Sequence, residues 1–191
     1  MDDAPHPLKV LGLHHIALVV PDLDDTQSFY CQARGFRTID RPDLGFHGAW
    51  LQRGCLVIHL LEGFWEPDAF NWMVGWDNIF RIVFSVFDLK IAGRFYARLL
   101  GVPLLTDDDW VGSEDVVISL MAGAPWKEPG LPKPRGNHVA FGVTDIDAAE
   151  RWLKYCGVTY IRKTQRGSGI EQIFLVDLDD HTIELNPSPM P

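Results

Sequence analysis

The chain has 191 residues, 47% of them apolar and 23% charged. That length carries one ordinary domain or two small ones, and its apolar content excludes disorder. The 17 Lys and Arg against 26 Asp and Glu leave a net charge of −9, which disfavours nucleic-acid or anionic-membrane binding, both built on basic patches.

After a tail over residues 1–10, an apolar stretch from Leu13 to Val20 reads as a strand ending at Asp22. The amphipathic run Leu23 to Arg34 follows as a helix with Phe29 and Ala33 on its apolar face, and Gly35 stops it. Strands at Phe36–Ile39, Ala49–Gln52 and Leu56–Leu61 complete a first β-α-β-β-β module over 11–62. A connection rich in Trp, Phe and Pro spans 63–78. The same phrase then returns over 79–122: Ile79 to Val86, Asp88, a helix over Ile91–Leu100, Gly101, and strands at 102–105, Trp110-Val111 and Val116–Leu120. A Pro-rich connection spans 123–136. The third copy, over 137–187, has Val139–Val143, Asp145, a helix over Ala148–Cys156, Gly157, and strands at Val158–Ile161, Ile173–Val176 and Thr182–Leu185. Residues 188–191 are a second tail.

From Asp to Gly the three copies span 13, 13 and 12 residues, so the chain reads as a threefold internal repeat. Asp22, Asp88 and Asp145 are expected to cap helices, because a carboxylate there accepts the first free backbone N–H groups. Phe29-Tyr30 and Phe95-Tyr96 are expected in the core, and His6, His47 and His181 on the surface or in turns. The three cysteines, Cys31, Cys55 and Cys156, are odd in number and read as buried free thiols in a reducing, cytoplasmic compartment. No apolar run approaches the roughly 20 residues of a membrane span. The opening Met1-Asp2-Asp3-Ala4-Pro5 lacks a secretory pattern.

The repeat makes positions comparable. His15 stands seven residues before Asp22 and His138 seven before Asp145, with Arg81 at the matching place in module two. In the last strands the matching residues are His59, Ser119 and Glu184. Modules one and three thus place His15, His59, His138 and Glu184 at equivalent positions, and these are the ligand types of first-row divalent metals. His14 and His15 are adjacent, so only one can face a given side of a strand, and the repeat selects His15. Trp65, Trp72, Trp76 and Trp126 either line an apolar pocket or pack the connections onto the sheet.

The phrase His14-His15-Ile16-Ala17-Leu18-Val19-Val20-Pro21-Asp22-Leu23, followed by Phe29-Tyr30, resembles the first strand and helix of the vicinal oxygen chelate superfamily. That family includes glyoxalase I, bleomycin-resistance proteins and extradiol dioxygenases. Ile58-His59-Leu60-Leu61-Glu62, Asn137-His138-Val139-Ala140-Phe141 and His181-Thr182-Ile183-Glu184-Leu185 are similar to its later motifs. The resemblance implies an α+β fold, with repeated β-α-β-β-β modules in a cupped mixed sheet and one module beyond the usual pair. It also implies one divalent metal (Ni, Zn, Co, Mn or Fe(II)) on His15, His59, His138 and Glu184, a small-molecule substrate with two adjacent oxygens, and a homodimer.

Three departures stand out. Glyoxalase I usually has a carboxylate where His59 stands, which leaves Glu184 as the candidate catalytic base. The usual Asp-Pro-x-Gly turn is replaced by Asp177-Leu178-Asp179-Asp180, a drift in the last hairpin. Module two carries no ligands. The leading expectation is glyoxalase-type lyase or isomerase chemistry. His15, His138 and Glu184 also make the two-His, one-carboxylate set of Fe(II) dioxygenases. The Tyr that ring-cleaving members carry ten residues before the Glu is here Phe174. A third expectation is a non-catalytic resistance protein that sequesters an aromatic ligand, against which the retained ligand set speaks.

Overall fold

A computed structural model describes residues 5–64, 70–74, 80–101, 110–112, 116–126, 128–187 and 189. The elements follow in the order β1 (Val10–Val20), α1 (Leu23–Arg34), β2 (Arg37–Ile39), β3 (Gly48–Arg53), β4 (Leu56–Glu62), β5 (Phe70–Val74), β6 (Phe80–Val86), α2 (Leu89–Leu100), β7 (Trp110–Gly112), β8 (Val116–Ala122), β9 (His138–Val143), α3 (Ile146–Cys156), β10 (Tyr160–Thr164), β11 (Glu171–Val176) and β12 (Thr182–Asn186). The expected strand at 102–105, like Trp65 and Trp76, lies outside the described residues. No helix among the described residues is long and apolar enough to cross a membrane.

Local chemistry sets the helices. The carboxylates of Asp22, Asp88 and Asp145 accept from Asp25 N, Ile91 N, and both Asp147 N and Ala148 N. Gly35, Gly101 and Gly157 end the helices in the left-handed region, with φ +70° at Gly35, where a side chain would be strained. The buried side of α1 differs from the expectation. Leu23 is buried and Tyr30 and Cys31 pack on the core, whereas Phe29 is 50% exposed and Ala33 faces solvent. Positions 23, 30 and 31 lie on one helical stripe, and the strand floor selects that stripe. Tyr96, by contrast, is fully buried as expected.

Modules one and three form one eight-stranded mixed sheet within a single chain, in the order β10-β11-β12-β9-β1-β4-β3-β2. β1 and β9 meet antiparallel at its centre, and each has its module's last strand on its other side, β4 and β12, in parallel. The antiparallel seam relates the two modules by an approximate twofold. Helices α1 and α3 cover the sheet, burying side chains such as Leu51, Ile58, Leu153 and Ile173.

Module two builds its own sheet, in the order β5-β6-β8-β7. Its β6 runs parallel to β8, as β1 does to β4. The edge of β6 that corresponds to the β1–β9 seam is taken by β5, paired antiparallel from Phe70↔Phe84 to Val74↔Phe80. The stretch expected as a plain connection therefore contains a strand, because an open strand edge binds the nearest extended backbone.

The Asp177–Asp180 turn docks the modules on one another. Asp177 accepts from Tyr96 Oη of α2 at 2.6 Å and meets His181 Nδ1 at 2.7 Å. Asp179 accepts from Phe87 N at 2.8 Å, and Asp180 from Gly130 N at 2.7 Å. Asp180 stands where the family turn has Gly and holds φ +72°, a conformation Asp tolerates when its carboxylate is engaged. The drift read from the sequence is thus a working contact. It also corrects His181, expected at the surface, which is 3% exposed because it belongs to this knot. His6 and His47 are exposed as expected. The cysteines are free, but Cys31 and Cys156 are half-buried and Cys55 is exposed, since Cys55 sits in the tight turn between β3 and β4.

Candidate metal centre

The site lies across the four central strands, and their register builds it. Glu184 of β12, Ala140 of β9 and His15 of β1 form one row; His138 of β9, Ala17 of β1 and His59 of β4 form the next. His15-Ile16-Ala17 and His138-Val139-Ala140 are the same phrase run in opposite directions, so each His lies opposite the other strand's Ala. A methyl group there leaves room for the neighbouring ring.

His138 Nε2 lies 3.0 Å and His15 Nε2 3.6 Å from Glu184 Oε2. Ligand atoms of the three residues all fall within 4.8 Å of one another, and all three side chains are buried. His59, the fourth expected ligand, stands outside this group. Its ring stacks on His15 (centroids 3.8 Å, 25°) and on Trp50 (4.1 Å, 7°).

The surroundings orient each group. His138 Nδ1 lies 2.9 Å from the Gly136 carbonyl, which only accepts, so Nδ1 donates to it and Nε2 is the atom turned toward Glu184. That buried Nε2 makes no hydrogen bond, although Glu184 Oε2 is close. Glu184 Oε1 accepts from Gln172 Nε2 at 2.7 Å and Asn186 Nδ2 at 2.8 Å. Burial opposes ionisation of Glu184, but His15, His138 and the Asn186 amide outweigh it and hold the carboxyl at about 2. Burial, reinforced by His59, pushes His15 well below the usual histidine range; burial, reinforced by His138, does the same to His59. Two imidazoles and a carboxylate whose ligand atoms converge within 4.8 Å form a donor set that fits a divalent cation.

A cavity of about 200 Å³ opens over the group, bounded by Trp50, His59 and Phe174 among others. A second, of about 530 Å³, adjoins it, with Phe46, Leu61, Pro134, Arg135 and Lys163 lining both. Phe174 is paired with Glu184 in register and packs edge-on to His138. Trp126 is 64% exposed, and the side chain of Trp72 lies outside the described residues; among the described residues the tryptophan lining the cavity is Trp50. At the module-two positions Ser119 is buried, and the side chain of Arg81 lies outside the described residues. Sequence reasoning missed Gln172, Asn186 and Trp50. The first two stand two residues from Phe174 and Glu184 on their strands, so a period of two was their available signal.

Residues 12–66 match the family model of the Glyoxalase/Bleomycin resistance protein/Dioxygenase superfamily. Glyoxylase I 4 of Arabidopsis thaliana is 39% identical over 61 residues, which is 31% of this chain and 35% of that protein. The match thus spans about a third of the curated relative. Glyoxalase I of Zea mays shares the fold, with TM-score 0.67 and 18% identity over 92% of each chain. A mutant of the same maize enzyme gives TM-score 0.64 and 19% identity over 92% of each chain. Over residues 12–66 the sequence is thus similar to this superfamily, and the fold as a whole is that of glyoxalase I. The curated relative and the solved structures it is similar to here carry the name glyoxalase I or glyoxylase I.

Proposed function

We propose that the protein is a divalent-metal-dependent enzyme of glyoxalase type, binding a small molecule through adjacent oxygens and promoting proton transfer in lyase or isomerase chemistry. One observation carries the reading: His138 Nε2 and His15 Nε2 converge on the buried Glu184 Oε2, at 3.0 and 3.6 Å, the arrangement of a three-residue metal-ligand set. His15, His138 and Glu184 are the proposed ligands, and a bound metal supplies Lewis acidity to a substrate oxygen. Glu184 is the proposed base, being the sole carboxylate among the described residues that line the inner cavity.

The cavity walls support an anionic substrate. No carboxylate among the described residues forms an ion pair with Arg135 or Lys163, which line both cavities. The neighbouring Arg162 on β10 is instead held by Asp147, Glu150 and Glu171. In a chain of net charge −9, cations left without counter-charge at a cavity favour an anionic guest. Arg135→Gln and Lys163→Gln are each expected to weaken binding of inorganic phosphate or a small dicarboxylate about tenfold.

Elemental analysis of the purified protein tests the metal reading. One divalent ion per chain, lost in His138→Ala, is the expected result; no stoichiometric metal in the wild type overturns it. A second reading, an Fe(II) dioxygenase, is supported by the two-His, one-carboxylate make-up of the group with His59 outside it. Oxygen uptake by the Fe(II)-loaded protein separates the two. A homodimer in a cytoplasmic setting accompanies the proposal.

A further inference from the structure

His14 lies beside a proposed ligand on β1, where the repeat selects His15. The structure brings its Nδ1 to 2.8 Å from His15 Nδ1. The same half-buried ring makes a second hydrogen bond, to the backbone of Pro189 beyond β12. A proline has no N–H, so its carbonyl can only accept, and His14 must donate to it. A neutral imidazole has a single N–H. With its hydrogen committed to Pro189, His14 must accept at Nδ1, and the donor across the 2.8 Å contact is His15 Nδ1–H. The lone pair of His15 is thereby left on Nε2, the atom that faces Glu184.

We propose that His14 is a positioning residue for the metal centre: through the relay from the Pro189 carbonyl to His14 to His15, it sets the tautomer in which His15 Nε2 is free to bind a metal. The twofold-related ligand reaches the same state by a shorter route, since His138 Nδ1 donates directly to the Gly136 carbonyl. Both histidines thus present Nε2 by committing Nδ1–H to an acceptor, one to the backbone and one to another imidazole. Such outer partners fix ring orientation and raise ligand basicity.

The inference rests on the metal reading above, and the test keeps the two apart. Zn²⁺ affinity is measured calorimetrically for wild type, His14→Ala, His14→Asn and His14→Gln, with His138→Ala as the ligand control and thermal melting of the metal-free proteins alongside. An Asn carbonyl lies near the place of Nδ1 and still accepts from His15, whereas a Gln amide reaches the place of Nε2 and does not. The expected pattern is an affinity loss of about 10- to 100-fold for His14→Ala and His14→Gln, near-wild-type affinity for His14→Asn, and unchanged metal-free melting. Equal affinity in all four, with His138→Ala still abolishing binding, overturns the relay and leaves the metal reading standing. Equal losses in Asn and Gln overturn it as well. No Zn²⁺ binding by the wild type overturns the metal reading itself, and the relay with it.

Discussion

Ala17 and Ala140 shape the proposed metal centre as much as its candidate ligands do. Each is buried and lies in register between two of the histidine and glutamate positions. A branched side chain there competes with an imidazole for the same space. Ala140→Val is expected to destabilise the fold by about 1–3 kcal/mol and to weaken metal binding together with it, as denaturant titration and calorimetry would record. Gln172 acts by hydrogen bonding instead. Gln172→Leu removes one of the two amides on Glu184 Oε1 and is expected to lower metal affinity about 10- to 100-fold. A Kd within threefold of wild type would remove Gln172 from the site. His59 supplies the contrast. With its ring between Trp50 and His15, His59→Ala is expected to cost at least about tenfold less metal affinity than His138→Ala; equal losses would return it to the ligand set. His15, His138 and Glu184 were legible because repeat-equivalent positions carried ligand chemistry. Gln172, Asn186 and His14 were not, since their meaning depends on which side chain each reaches.

At the scale of elements, the caps and strands followed from local rules. An Asp before a helix and a Gly after it act through backbone groups a few residues away, so the three Asp-to-Gly phrases located α1, α2 and α3 without tertiary information. The face of α1 did not follow, because Phe29 and Tyr30 are adjacent apolar rings and only the sheet beneath decides between them. The Asp177–Asp180 turn shows the same limit. As sequence it departs from the family's Asp-Pro-x-Gly; in the fold its three carboxylates hold Tyr96, Phe87 and Gly130. Tyr96→Phe removes a buried hydroxyl from Asp177 and is expected to cost about 1–3 kcal/mol. Asp177→Ala also removes the partner of His181 N and Nδ1 and is expected to cost more. Equilibrium unfolding in urea would measure both, and a neutral Asp177→Ala would mean that the turn does not hold the modules together.

The whole molecule distributes three similar modules over two sheets. Modules one and three bring the three candidate ligands together inside a single chain, so metal affinity is expected to be independent of protein concentration. Calorimetry across a dilution series, with light scattering to follow assembly, checks this; affinity that collapses on dilution would place part of the site between chains. Metal at 100 times its Kd should stabilise the chain by about 2.7 kcal/mol, read from the shift of the unfolding midpoint on adding and then chelating the ion.

By itself the sequence determined the strand and helix order of modules one and three and the placing of His15, His138 and Glu184 as candidate ligands. All of these are written in short-range spacing, in backbone capping and in residue type. Which modules pair was decided only by tertiary structure. Each module's first strand offers an equivalent open edge, and nothing local distinguishes them. β1 and β9 close on each other, whereas β6 is covered by β5. The physical reason is that backbone edges are alike in every copy, so only the competition among all edges of the folded chain selects the seam on which His15, His138 and Glu184 converge.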